Sequence, residues 1–164
     1  MTRFSHSIFA AVLVLAALTV AHGKNVPKGK QAENASELQF HSARDQAKEF
    51  IGYYHSIPLT AEQEKLKNEA LSKIPAPCCA EYSIATCCCP CNLPKSVWGL
   101  SSYLIVKKGY DVQHVKATVE RWIRFTNEKG YAGNACHKGG CGRPFHEDGC
   151  GGMKEDQLSA DFRP

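Results

Sequence analysis

Six of the nine cysteines fall within fourteen residues, Cys78 to Cys91, as Cys-Cys-Ala-Glu-Tyr-Ser-Ile-Ala-Thr-Cys-Cys-Cys-Pro-Cys. A buried structural thiol needs no neighbour of its own kind. A segment this rich in sulfur is therefore a metal site, a thiol redox centre or a disulfide framework. The remaining three, Cys136, Cys141 and Cys150, sit in a glycine-rich stretch beside His137 and His146.

The N-terminus bears on which of these applies. Arg3 gives a short positive start, and Ile8 to Val20 is an apolar run short for a membrane span. Ala21-His22-Gly23 then places small residues at −3 and −1 of a cleavage site. Residues 1–23 read as a secretory signal, with no lipobox cysteine and no twin arginine, so the expected destination is the periplasm. No second apolar stretch is long enough to span a membrane. The remaining 141 residues make one domain, and their net charge falls from +4 to +3 when Arg3 leaves. That charge is too small and too interspersed with acids to suggest a nucleic-acid partner.

Export exposes thiols to an oxidising compartment, which favours disulfides. Two features oppose a purely disulfide framework. An odd number of cysteines leaves one over, and adjacent pairs such as Cys78-Cys79 and Cys88-Cys89 point apart. Crowded thiolates suit soft metal ions, Cu(I) or Zn²⁺, with zinc–sulfur distances of about 2.3 Å.

Between the motifs the chain reads as helical. Residues 24–35 form a polar linker. Ser36 is a candidate cap for a first helix from Glu37 to before Pro58, with Phe40, Ala43, Ala47, Phe50, Ile51 and Tyr54 on one face. Thr60 with Gln63 has the capping-box pattern for a second helix, Ala61 to about Lys73. Asn92 and Pro94 open a third, apolar on nearly every side, that closes at Lys107-Lys108-Gly109. Asp111 caps a fourth, with Val115, Val119 and Trp122 in its stripe. No alternating strand is evident. The expected fold is all-α, a small domain of three or four helices over residues 36–131 that contains the cysteine loop 78–91. Residues 132–153 lack the apolar side chains to order themselves without cysteine links or metal, and 154–164 read as a flexible end.

Within the loop, alternate residues of an extended backbone point the same way, which predicts that Cys87, Cys89 and Cys91 converge and that Cys78 and Cys79 return across the turn. The helix opening beside them offers free N–H groups that favour thiolates. The candidate ligands are Cys78, Cys79, Cys87, Cys88, Cys89 and Cys91, with Cys136, His137, Cys141, His146 and Cys150 as a second or completing site. His41, His55 and His114, away from the cysteines in sequence, read as surface residues. Covalent haem is not supported, since Asn92 follows Cys91, and the βαβ pattern of thioredoxin-like enzymes is missing.

At Cys87-Cys88-Cys89-Pro90-Cys91 the chain resembles the exported bacterial proteins with a Cys-Tyr-Cys-x-Cys (CYCXC-type) motif, some of which carry selenocysteine. Cys87, Cys89 and Cys91 match the motif cysteines, and Cys88 stands in the tyrosine position. The resemblance implies redox or soft-metal chemistry. The function expected from the sequence is metal storage, delivery or sensing, with a periplasmic metal or redox protein as partner. Two alternatives stay open: a thiol–disulfide oxidoreductase using Cys88 and Cys91, and a disulfide-stapled interaction module. No nucleophile–base pair marks an enzyme.

Overall fold

The computed structural model describes residues 37–134 and 136–158, without the side chain of Cys136. The expected signal, the linker and residues 159–164 lie outside the described residues. The fold is mostly helical: α1 (Ala43–Ser56), α2 (Ala61–Leu71), α3 (Asn92–Lys108) and α4 (Val112–Thr126). This is the small all-α domain expected, with two additions. A short antiparallel hairpin, β1 (Pro75–Ala76) and β2 (Cys79–Ser83), carries the first cysteine pair. A run of short 3₁₀ turns organises the tail from Cys136 to Gln157.

Local sequence explains most boundaries. Thr60 and Gln63 form the reciprocal capping box at the start of α2. Asp111 accepts the His114 N–H at 2.9 Å to open α4. Gly109, at φ 67°, closes α3 in the left-handed conformation that glycine adopts without strain. The first helix begins later than its apolar spacing suggests. Ser42, not Ser36, is the cap, accepting from the Asp45 N–H at 3.1 Å. The preceding segment is held extended by Gln46, whose carbonyl accepts from the N–H groups of His41 and Ser42 while its amide donates to the Gln39 carbonyl. Phe40 from that segment then lies 5.2 Å from the Trp122 ring.

The core forms where α1 and α4 pack on α3. Trp122, Phe50, Leu100, Leu104, Val97, Val115 and Val119 are fully buried. Phe50 meets Trp122 edge-on at 4.9 Å, and Trp122 satisfies its indole N–H on the Ser96 hydroxyl at 3.0 Å. Trp98 is only partly buried and donates to the Ile84 carbonyl at 2.8 Å, which ties the segment after the hairpin to α3. The α1–α3 crossing is close at Gly99, where a Cβ would stand 1.7 Å from the Phe50 carbonyl oxygen.

The tail is more ordered than its composition suggests. The N–H groups of Asn92 and Leu93, at the start of α3, donate to the carbonyls of Gly152 and Cys150 at 2.9 and 3.0 Å. The buried Asn92 amide donates to the carbonyls of Gly151 and Lys154, both at 2.9 Å. Phe145 is fully buried, and Gly151, at φ 74°, lies where a Cβ would strike its ring. Residues 154–158, read as flexible from sequence, are also fastened. Glu155 pairs with Lys95 and His55, which hold its carboxyl below the usual range, and Leu158 is buried. Thus a few backbone hydrogen bonds and one aromatic anchor do what a long apolar stripe does elsewhere.

Candidate functional site: a sulfur cluster at the start of α3

Three short segments deliver the sulfurs to one end of α3. The first is the turn between β1 and β2, which presents Cys78 and Cys79. The second is the run Cys87–Cys91, which leads into the helix with Cys91 as its N-cap. The third is the tail, brought in by the Cys150 carbonyl on the Leu93 N–H and by the Ala80 N–H on the Gly133 carbonyl. The two clusters seen in the sequence therefore meet, and the structure sorts their residues differently from the chain order.

An inner group is buried. Cys78, Cys91 and Cys150 have 0% of their surface exposed, and Cys87 has 9%. Sulfur contacts link Cys87 to Cys78, Cys78 to Cys91, Cys91 to Cys150 and Cys150 to Cys141. The Cys150 thiol also donates to the Cys141 carbonyl at 3.1 Å. A second, outer group is built around the solvent-exposed Cys88, with Cys79, at 3% exposure, as its buried member. Cys88 is exposed, its sulfur 3.6 Å from that of the half-buried Cys89. Cys79 contacts Cys88 and stands 3.9 Å from Nε2 of the exposed His137.

Adjacent cysteines split between the groups because neighbouring side chains on an extended backbone face opposite ways. Hence Cys87 points in while Cys88 points out; Cys78 and Cys79 are both buried and differ in their partners, Cys87 and Cys91 for Cys78 and Cys88 for Cys79. The run Cys87–Cys91 does not stay extended throughout. The Cys91 N–H donates to the Cys89 carbonyl at 2.8 Å, a three-residue turn that breaks the alternation, and the Cys89 sulfur groups with Cys88. The Cys88/Cys91 dithiol is divided as well, with Cys88 facing Cys79 and Cys89 and Cys91 facing Cys150 and Cys78.

The electrostatics also depart from expectation. The first N–H groups of α3 are taken by tail carbonyls. Cys87 is pushed up by its hydrogen bond to Cys78 and by burial. Cys91 is pushed up by hydrogen bonds to Cys150 and Cys78 and by burial. Cys150, which accepts from Cys91, is pulled down. Burial, followed by the neighbouring Cys88, raises Cys79. These contacts favour the thiol at Cys79, Cys87 and Cys91 and the thiolate at Cys150.

Among the described residues, no three His, Cys, Asp or Glu side chains already stand together at the spacing that would hold a metal ion. The sulfurs touch in succession instead. The side chain of Cys136 lies outside the described residues, and His146 lies beside Glu147, Nε2 to Oε1 3.7 Å. His41 and His114 are exposed as expected, and His55 is exposed and paired with Glu155. A cleft of about 540 Å³ opens between the hairpin and the end of α4, lined by Ile74, Pro77, Ile123 and Tyr131 among others and by no cysteine or histidine. The described helices include none long and apolar enough to cross a membrane. Compared with protein-family models, curated proteins and solved structures, the chain finds no match in any of the three.

The inner and outer groups should react differently. Iodoacetamide is expected to label Cys88 on mixing and to reach Cys78, Cys91 and Cys150 only as the chain unfolds, since reaction needs access as well as thiolate. Peptide mass spectrometry of the time course checks this. Equal labelling of Cys88 and Cys91 in the folded protein would show the inner group to be open.

Proposed function

We propose that this is an exported metal-handling protein whose gathered thiols bind a soft ion, Cu(I) in preference to Zn²⁺, for storage, delivery or sensing. The observation that carries the reading is the meeting of sulfurs from three separate segments in one buried group at the start of α3. Thiolates select soft ions. Sulfurs that touch in pairs suit Cu(I), for which a linear pair of thiolates is sufficient coordination. Structural zinc instead takes four donors around one centre. The signal-like leader supports export, and the resemblance of Cys87–Cys91 to the CYCXC-type proteins supports soft-metal or redox chemistry. A periplasmic metal or redox protein is the partner this reading implies.

Binding would have to displace protons from Cys87 and Cys91, so uptake should release acid and strengthen as pH rises. The same pairwise contacts favour one second reading, in which the sulfurs form disulfides and the outer pair Cys79/Cys88 exchanges with external thiols.

One measurement separates the two. The chain is purified from the periplasm without chelator and without oxygen, and bound metals are measured alongside free thiols after denaturation. Stoichiometric copper with most thiols reduced is the expected result. No metal, with a single titratable thiol, would sink the metal reading and leave disulfide chemistry.

A further inference from the structure

The inner group has a problem of access. Cys78, Cys91 and Cys150 are fully buried beneath the hairpin, α3 and the tail, so an ion held by another molecule cannot touch them directly. Transfer of a soft ion between proteins proceeds by ligand exchange, which requires incoming and departing sulfurs to reach the same ion. Cys88 and Cys89 of the outer group supply sulfurs that can be reached. Two peptide-linked pairs, Cys78-Cys79 and Cys87-Cys88, carry one member in each group. Cys87-Cys88 therefore joins the surface to the interior over the length of a single residue, while Cys79, itself buried, contacts the exposed Cys88.

Resting on the metal reading above, we propose that Cys88, Cys89 and His137, with the buried Cys79 beside them, form a separate acceptance site for Cu(I), which takes the ion from a donor and passes it to the buried sulfurs. Cys88 and Cys89, with sulfurs 3.6 Å apart at the surface, receive the ion first. Cys79 and the imidazole of His137 border them on the tail side. The ion then moves inward by exchange. A bond from Cu(I) to the Cys87 or Cys78 sulfur forms as the bond to Cys88 or Cys79 breaks. The proton leaving the inner thiol returns to the outer sulfur, and copper stays Cu(I) throughout. Because His137 comes from the tail, the docking of the tail on α3 completes this site as well as the inner one.

A competing entrance exists on the other side. Cys141 is half-exposed and shares a cleft of about 350 Å³ with Met153. It offers one thiol and a thioether against the two accessible thiols and imidazole of the outer group, and the test includes it.

The experiment follows loading of the reduced full chain with Cu(I) supplied from a coloured chelate, by stopped-flow loss of the chelate absorbance. In the Cys88→Ser/Cys89→Ser variant, loading of the inner group is expected to slow by about tenfold or more. The copper finally retained against competing chelate by the inner group should be unchanged. His137→Ala should slow loading in the same direction, and Cys141→Ser should leave the rate alone. Both substituted cysteines lie at or near the surface, so the fold survives their loss, and far-UV circular dichroism checks this. Loading of Cys88→Ser/Cys89→Ser at the wild-type rate would overturn the acceptance site, as would a slowing confined to Cys141→Ser. A wild-type chain that takes up no Cu(I) would overturn the metal reading itself, and the acceptance site with it.

Discussion

Replacing Gly99 with alanine is expected to lower the stability of the domain by about 3 kcal/mol or more, although the residue sits in the middle of a helix. In an ordinary helix interior the change would stabilise by about 1 kcal/mol, because alanine restricts the unfolded chain and glycine does not. Here the added Cβ would stand 1.7 Å from the Phe50 carbonyl oxygen and 2.7 Å from the Tyr54 nitrogen. Both are backbone atoms, so no change of rotamer relieves the clash, and α1 and α3 must move apart. That movement would open the edge-on contact of Phe50 with Trp122 and the stacking of Tyr53 on Tyr103 at 4.8 Å. Thermal unfolding should show Tm lower by roughly 10 °C. Gly52→Ala is the control, since its Cβ would meet nothing within 4 Å, and it should raise Tm slightly. A Gly99→Ala melt that coincides with wild type would show that the crossing is looser than described.

Gly99 also illustrates what the sequence could and could not disclose. The helices were legible because their signals are local: the Thr60/Gln63 box, Asp111 before its apolar stripe, and Gly109 after two lysines. The first helix was misplaced because two serines compete for the cap. What decides for Ser42 is the Gln46 side chain, which holds the preceding backbone extended. The hairpin at Pro75–Ser83 is too short and too polar on its outer face to show alternation. The tail was illegible for another reason. Its order depends on carbonyls of Cys150, Gly151, Gly152 and Lys154 finding the start of α3 and the Asn92 amide, and backbone carbonyls leave no trace in composition.

The candidate site was legible as a list of donors and not as an arrangement. Nothing in the spacing of Cys87, Cys88, Cys89 and Cys91 discloses the turn at Cys89. Nor does the spacing disclose that Cys150 is the tail cysteine that reaches Cys91. The adjacent pairs did hold a clue. Side chains of neighbours on an extended strand face opposite ways, so a doubled cysteine can serve two places at once, as Cys87 and Cys88 do with one buried and one exposed.

Replacing both Cys91 and Cys150 with alanine is expected to abolish the stabilisation that metal confers while leaving most of the stability of the metal-free fold. The two sulfurs are in contact, fully buried, and contributed by segments 59 positions apart, so an ion bound there would clamp the tail to α3. A ligand that binds only the folded chain stabilises it by about 4 kcal/mol at a thousand times its dissociation constant. For a chain of this size that corresponds to a rise in Tm of roughly 10 °C or more on adding Cu(I) to the reduced protein. The double variant should lose that rise. Its metal-free melt should move less, because the tail keeps the Asn92 hydrogen bonds and the buried Phe145 ring. The disulfide reading predicts the reverse pattern. Oxidised wild type would then melt higher than reduced wild type without any metal, and the variant would lose that difference instead. A variant that still gains stability from Cu(I) to the wild-type extent would place the ion elsewhere among the sulfurs and remove Cys91 and Cys150 from its ligands.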